Sequence, residues 1–220
     1  SGNDVSAALR NTRVPIDAVE IDPMIVQLGR RLHPEQPYAD PRVRVIINDA
    51  RSFFLHTDRR YAKVVFGFLD SHTLMSSFSS LRLDNFVYTK QAMERVKELL
   101  LPGGQVFLTF ASNTPWIHER MVALLDEVFD GPTQAVQEQQ GGYSNGVIYV
   151  NYKAVAGEPP ASRPQRYAHV RLPTDDWPFL YLREPSLPSH YQFFMALVIC
   201  MGVRALFLLP PGQRQIKAPY

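Results

Sequence analysis

Short compact apolar runs alternate along the chain with apolar stripes at helical spacing. Residues 4–10 read as a short helix, with Asn3 or Asp4 as N-cap. Residues 16–21 (IDAVEI) form a strand-length run. Asp22 is placed to cap, and Pro23 to begin, a helix whose apolar stripe is Met24, Ile25, Leu28 and Leu32. Residues 43–47 read as a strand, and Asp49 as the cap of a helix carrying Phe53 and Phe54. The run 61–69 (YAKVVFGFL) suits a parallel strand buried on both faces. The Ser-rich stretch 71–80 is a loop, and residues 84–101 are a helix with Ala92, Val96, Leu99 and Leu100 inward, stopped by Pro102-Gly103-Gly104. A strand at 105–111, a helix at 116–129 and two strands at 133–138 and 146–152 complete the pattern. Strands alternating with helices predict a doubly wound, mostly parallel α/β sheet over residues 1–155, with one antiparallel member from the closing pair.

Composition sharpens this picture in four ways. At 45% apolar residues the chain is globular. Its charge nearly balances, 23 basic against 21 acidic residues, and no basic block or basic–aromatic interleaving marks a nucleic-acid face, so no nucleic-acid partner is expected. The single Cys200 excludes a disulfide framework and a thiolate zinc site, and the histidines show no ligand-like spacing, so no metal is expected. Ten of the 18 prolines fall between Pro159 and Pro219, which sets residues 156–190 apart as a Pro-rich linker and packing segment, and 191–220 as an apolar tail.

In a sheet of this kind, ligands sit at the carboxyl ends of the strands. Those ends select the loop before Asp4, represented by Ser1, Gly2 and Asn3, then Glu20-Ile21-Asp22, Asn48-Asp49-Ala50, and Asp70-Ser71-His72. Glu20 lies 18 residues past Gly2, close to the spacing of about 20 at which a carboxylate past a glycine turn accepts both hydroxyls of a ribose diol. Asp49 either accepts an adenine amino group or caps the following helix, and the two roles are compatible. Asp70 ends the third run and fits a carboxylate that binds an amine cation and accepts its proton, and His72 can share that proton or serve as an ordinary loop histidine.

The stretches VEIDPMIVQLGRRLHP, DPRVRVIINDARSFF, YAKVVFGFLDSHT and LLLPGG resemble, in order and spacing, the spermidine synthase-like family of class I S-adenosylmethionine-dependent transferases. The resemblance implies a Rossmann-like sheet of the class I methyltransferase type. It implies that S-adenosylmethionine or its decarboxylated form binds along Ser1, Gly2, Asn3, Asp4, Glu20, Ile21, Asp49, Ala50 and Asp70. Glu20 would hold the ribose and Asp49 the adenine, with Asp70 facing the reacting centre. Aminopropyl transfer to a small-molecule amine is the implied reaction. The alternatives are methyl transfer to another small acceptor, or a catalytically silent nucleoside-binding domain of a membrane protein. In such a fold the strand leading into the glycine loop is central, flanked by residues 16–21 and 61–69. The chain opens after it, which leaves those two strands without a common partner and an open, weakly stable sheet as the expectation.

Residues 193–209 are apolar except for Arg204, at the lower edge of bilayer-spanning length. Together with TDDWPFLYLR they resemble the join between a spermidine synthase-like domain and membrane segments. The tail is therefore either the start of a membrane segment, which would make the protein a cytoplasmic domain attached to a membrane, or an amphipathic or buried helix.

Overall fold

The computed structural model describes residues 2–68, 83–112, 114–137, 146–155, 157, 167, 169–183 and 189–208. Elements follow in the order α1 (Asn3–Asn11), β1 (Ile16–Glu20), α2 (Pro23–Leu32), β2 (Val43–Ile47), α3 (Ala50–His56), β3 (Tyr61–Phe66), α4 (Lys90–Leu99), β4 (Leu100–Ala111), α5 (Pro115–Val128), β5 (Gln134–Gln137) and β6 (Gly146–Tyr152). A separate unit, residues 184–220, contains α6 (Ser189–Leu208). Among the described residues no helix is long and apolar enough to cross a membrane.

Local chemistry explains most boundaries. Asp22 Oδ1 accepts from the Met24 N–H at 2.7 Å and Pro23 opens α2. Asp49 Oδ1 caps α3 through the Ser52 N–H at 2.8 Å. Thr89 caps α4 through the Ala92 N–H at 3.2 Å, so α4 starts at Lys90, behind a short 3₁₀ turn over Leu83–Tyr88, and not at residue 84.

The sheet is α/β and mostly parallel, but it is in two pieces. β1 pairs with β2 in parallel, and a second sheet runs β3-β4-β6-β5. β3 is parallel to β4, β4 and β5 are each antiparallel to β6, and β6 is therefore the one reversed strand. β1 and β3, the strands expected to flank a missing partner, are not paired with each other. Side chains join them instead. The Tyr61 hydroxyl donates to Asp17 Oδ2 at 2.7 Å, and Asp17 also receives the Arg44 guanidinium at 2.8–2.9 Å.

The core belongs to the four-stranded piece. Val106, Leu108 and Phe110 of β4 pack with Met93, Val96 and Leu99 of α4 and with Met121, Leu124 and Leu125 of α5. The stripe expected to bury α2 stays on the surface: Met24 is 57% exposed and Leu32 73%, while Val26 and Gly29 turn inward. Two paired strands offer too little apolar surface to cover that stripe.

Pro102-Gly103-Gly104 does not stop the chain, because β4 already begins at Leu100. Gly103 takes a positive φ of 75°, and a Cβ at Gly104 would lie 2.8 Å from the Leu101 carbonyl oxygen. The glycines let the strand continue through a kink while the Gly103 N–H bonds the Lys153 carbonyl at 3.0 Å.

Candidate functional site

The parallel register sets Glu20 beside Ile47, and the Asn48 N–H donates to the Glu20 carbonyl at 3.1 Å. Glu20, Asn48, Asp49 and Ala50 therefore share one edge, the carboxyl ends of β1 and β2. Glu20 is half-buried, and its Oε1 accepts from the Asp22 N–H at 3.1 Å. Asp49 spends Oδ1 on its helix cap. In each carboxylate the second oxygen has no partner among the described residues. That donor set, two half-engaged carboxylates at adjacent strand ends, fits a ligand that offers hydroxyl and amino hydrogens. Ile21, next to Glu20, is exposed and offers an apolar wall.

Gly2 caps α1 in a left-handed conformation, φ 92°, and lies against Pro37, His33 and Tyr38. Asn3 Oδ1 lies 3.0 Å from His33 Nε2. These contacts place the start of α1 on the connection between α2 and β2. Asp4, the next residue, reaches the end of β3, where a Cβ on Gly67 would strike its Oδ2. Ser1, Asp70 and His72 lie outside the described residues. Tyr88 is fully buried, edge-on to Phe110 at 5.2 Å, and acts as a core residue.

Three polar arrangements were not legible in the sequence. Arg51, the residue after Ala50, bonds Asp175 Oδ2 at 2.6 Å, and Thr89 donates to Asp175 Oδ1 at 2.6 Å. The TDDW segment is thereby tied to the amino ends of α3 and α4, on the same face as the strand ends. Arg120 is 2% exposed and sits between the rings of Trp116 and Trp177, 5.0 and 5.3 Å from its guanidinium carbon. Its guanidinium donates to the carbonyls of Leu180 (2.7 Å), Leu182 (2.6 Å) and Arg183 (2.9 Å). Burial, with the charge of Arg171 nearby, pulls its pKa down to about 10, so it stays charged at neutral pH. Finally, the Tyr149 hydroxyl lies 2.6 Å from Ser112 Oγ and 2.9 Å from His118 Nδ1. The one sequence signal for these was an arginine on the otherwise apolar face of α5.

A recess of about 510 Å³ lies apart from the strand ends, lined by Lys90, Glu94, Lys97 and Glu127 among others. Its charged groups are engaged, as in Lys90–Glu127 and Lys97–Asp130 at 2.8 Å each, and it carries no functional reading. Among the described residues no cluster of three His, Cys, Asp or Glu is arranged to hold a metal.

Comparison with solved structures finds a probable spermidine synthase from Corynebacterium glutamicum at 18% identity and TM-score 0.45, over 62% of this chain and 46% of that one. Human methyltransferase-like protein 13 in complex with SAH is similar at 19% identity and TM-score 0.48, over 66% and 63%. Spermidine synthase from Thermotoga maritima is similar at 11% identity and TM-score 0.49, over 83% and 60%. The chain thus spans about half to two thirds of the length of these proteins. No curated protein sequence matches significantly. The sequence profile of the spermine/spermidine synthase domain matches residues 9–136, more than half of the chain, and the chain belongs to that family.

Proposed function

We propose that the protein is a transferase that binds an adenosyl sulfonium donor at the carboxyl ends of β1 and β2 and passes the donor's aminopropyl group to an amine. The observation that carries this is the placement of Glu20 and Asp49 at adjacent strand ends, each with one carboxylate oxygen unpartnered among the described residues, in a chain of the spermine/spermidine synthase family. Glu20 grips the ribose diol with the oxygen not held by Asp22, and Asp49 accepts the adenine amino group while it caps α3. Ile21 and Ala50 supply the apolar edge. When bound, the donor supplies a carbon made electrophilic by the adjacent sulfonium, in decarboxylated S-adenosylmethionine the aminopropyl carbon. We assign to Asp70 the holding of the acceptor amine through its charge, and to His72 a share of the amine's proton.

Calorimetry with methylthioadenosine tests the reading. Glu20→Ala removes charge-assisted hydrogen bonds and should weaken binding by on the order of 2–4 kcal/mol. Unchanged affinity would remove Glu20 from the site. Offering S-adenosylmethionine and its decarboxylated form against a panel of amines separates aminopropyl from methyl transfer. Turnover with S-adenosylmethionine alone would replace the aminopropyl reading by a methyltransferase.

A further inference from the structure

We propose that Ser112, Tyr149 and His118 form a proton relay that receives the proton shed by an amine acceptor at the carboxyl ends of β3 and β4. It rests on the transferase reading above and adds the path by which the proton leaves.

Position comes first. Ser112 directly follows β4, whose last residue Ala111 pairs with Gly146 at the start of β6. A Cβ on Gly146 would meet the Phe68 ring at 2.7 Å, and Phe68 lies two residues past β3. The ends of β3, β4 and β6 therefore converge beside Ser112, on the face where ligands bind in such sheets. Ser112 is half-buried, open on one side.

Connectivity comes next. Tyr149 is fully buried, and its hydroxyl has Ser112 on one side at 2.6 Å and His118 Nδ1 on the other at 2.9 Å. A phenol carries one proton, so it donates to one neighbour and accepts from the other. If Tyr149 donates to Nδ1, Ser112 donates to Tyr149, and a lone pair on Ser112 Oγ faces the strand ends. Burial pushes the Tyr149 pKa up to about 12, so the phenol remains protonated at neutral pH and conducts a proton without holding a charge. His118 stands in the first turn of α5, half-buried, and its Nε2 has no hydrogen-bond partner among the described residues. That nitrogen is the outlet to water.

The step balances. As the amine nitrogen bonds to carbon and the carbon–sulfur electron pair returns to sulfur, the nitrogen's N–H bond breaks and its proton joins Ser112 Oγ. Ser112 passes its own proton to the Tyr149 oxygen, and Tyr149 passes its own to His118 Nδ1. The imidazolium then releases the Nε2 proton to water.

Two measurements on the full chain decide it. Nitrogen NMR of the imidazole should show His118 protonated at Nε2 and bare at Nδ1, and a neutral Nδ1–H tautomer overturns the relay whatever the activity. With decarboxylated S-adenosylmethionine and an amine that the wild type accepts, His118→Ala and Tyr149→Phe should lower kcat roughly 10²–10⁴-fold with KM for the amine unchanged. Added imidazole should restore turnover to His118→Ala, a rescue that a packing defect would not show. Full kcat in both variants overturns the relay and leaves the transferase reading standing, with another group as base. If the wild type binds methylthioadenosine but transfers to no amine, the acceptor reading and the relay fall together. Absence of nucleoside binding removes the transferase reading as well.

Discussion

Replacing Arg120 is the sharpest test of how the segment 169–183 is held. Its guanidinium is buried, touches two tryptophans and satisfies three backbone carbonyls at 2.6–2.9 Å, with a fourth contact to Phe179 at 3.5 Å. Each hydrogen bond from a charged donor contributes about 1.5–3 kcal/mol, and each cation–π contact about 0.5–2. Those gross terms overstate the loss in Arg120→Ala, because a released segment lets its carbonyls meet water. The loss is capped at the free energy with which Trp177, Pro178 and Leu180 dock. An expected cost of about 3–5 kcal/mol follows, the range for breaking a buried charged network. Arg120→Lys keeps the charge but not the planar fork, and should lose about half as much. Urea titration read by tryptophan fluorescence is the natural assay, since Trp116 and Trp177 both flank the site. Trypsin is the second, since Arg171 and Arg183 lie in the segment that would loosen. An unfolding free energy from urea within about 0.5 kcal/mol of wild type, with no new tryptic cut, would refute the reasoning.

Two pH effects follow from the same geometry. Burial alone would raise the Asp17 carboxyl, but the bonds from Arg44 and Tyr61 outweigh it and hold the pKa below its usual value. Its stabilising contribution is therefore complete above the unfolded pKa, about 3.9, and is lost as pH falls through the lower folded value. Thermal melts of wild type should fall more steeply than those of Asp17→Asn in that window, and parallel curves would dismiss the linkage. Tyr61 and Tyr149 are both raised to about 12, chiefly by burial, so the unfolded chain gives up these protons first and stability should fall between about pH 10 and 12. Tyr149→Phe should blunt that alkaline loss in circular dichroism, and an unchanged curve would place the titration elsewhere.

Much of the frame was legible because it is written locally. Asp22, Pro23 and Asp49 announce helix starts through a single side chain each, and the structure uses them in that way. The strands were legible from compact runs of branched residues, and the single reversed strand from its position after the last helix. What escaped depends on partners far along the chain. Ser112 meets Tyr149 across 37 residues and Arg120 meets Leu180 across 60. The α2 stripe misled for the opposite reason. Its spacing is that of a buried helix face, but burial requires a partner, and none covers it among the described residues. The glycines after Pro102 read as a stop because turn chemistry and strand kinks use the same residue.

The divided sheet gives the two halves of the molecule unequal cooperativity. The four-stranded piece, with α4 and α5 packed on it, opens only when the core opens. The β1–β2 pair, with its half-exposed strands and exposed α2 stripe, is tied to β3 by side chains rather than by strand pairing and can open locally at lower free energy. Glu20 stands on the soft half and Asp49 at its join with α3, whose Phe54 packs in the core, whereas Ser112, Tyr149 and His118 stand on the firm one. On the proposed reading, a nucleoside gripped by the soft half would also have to order it. Part of its intrinsic affinity would go into that ordering, and a binding constant measured by calorimetry would understate the contacts made.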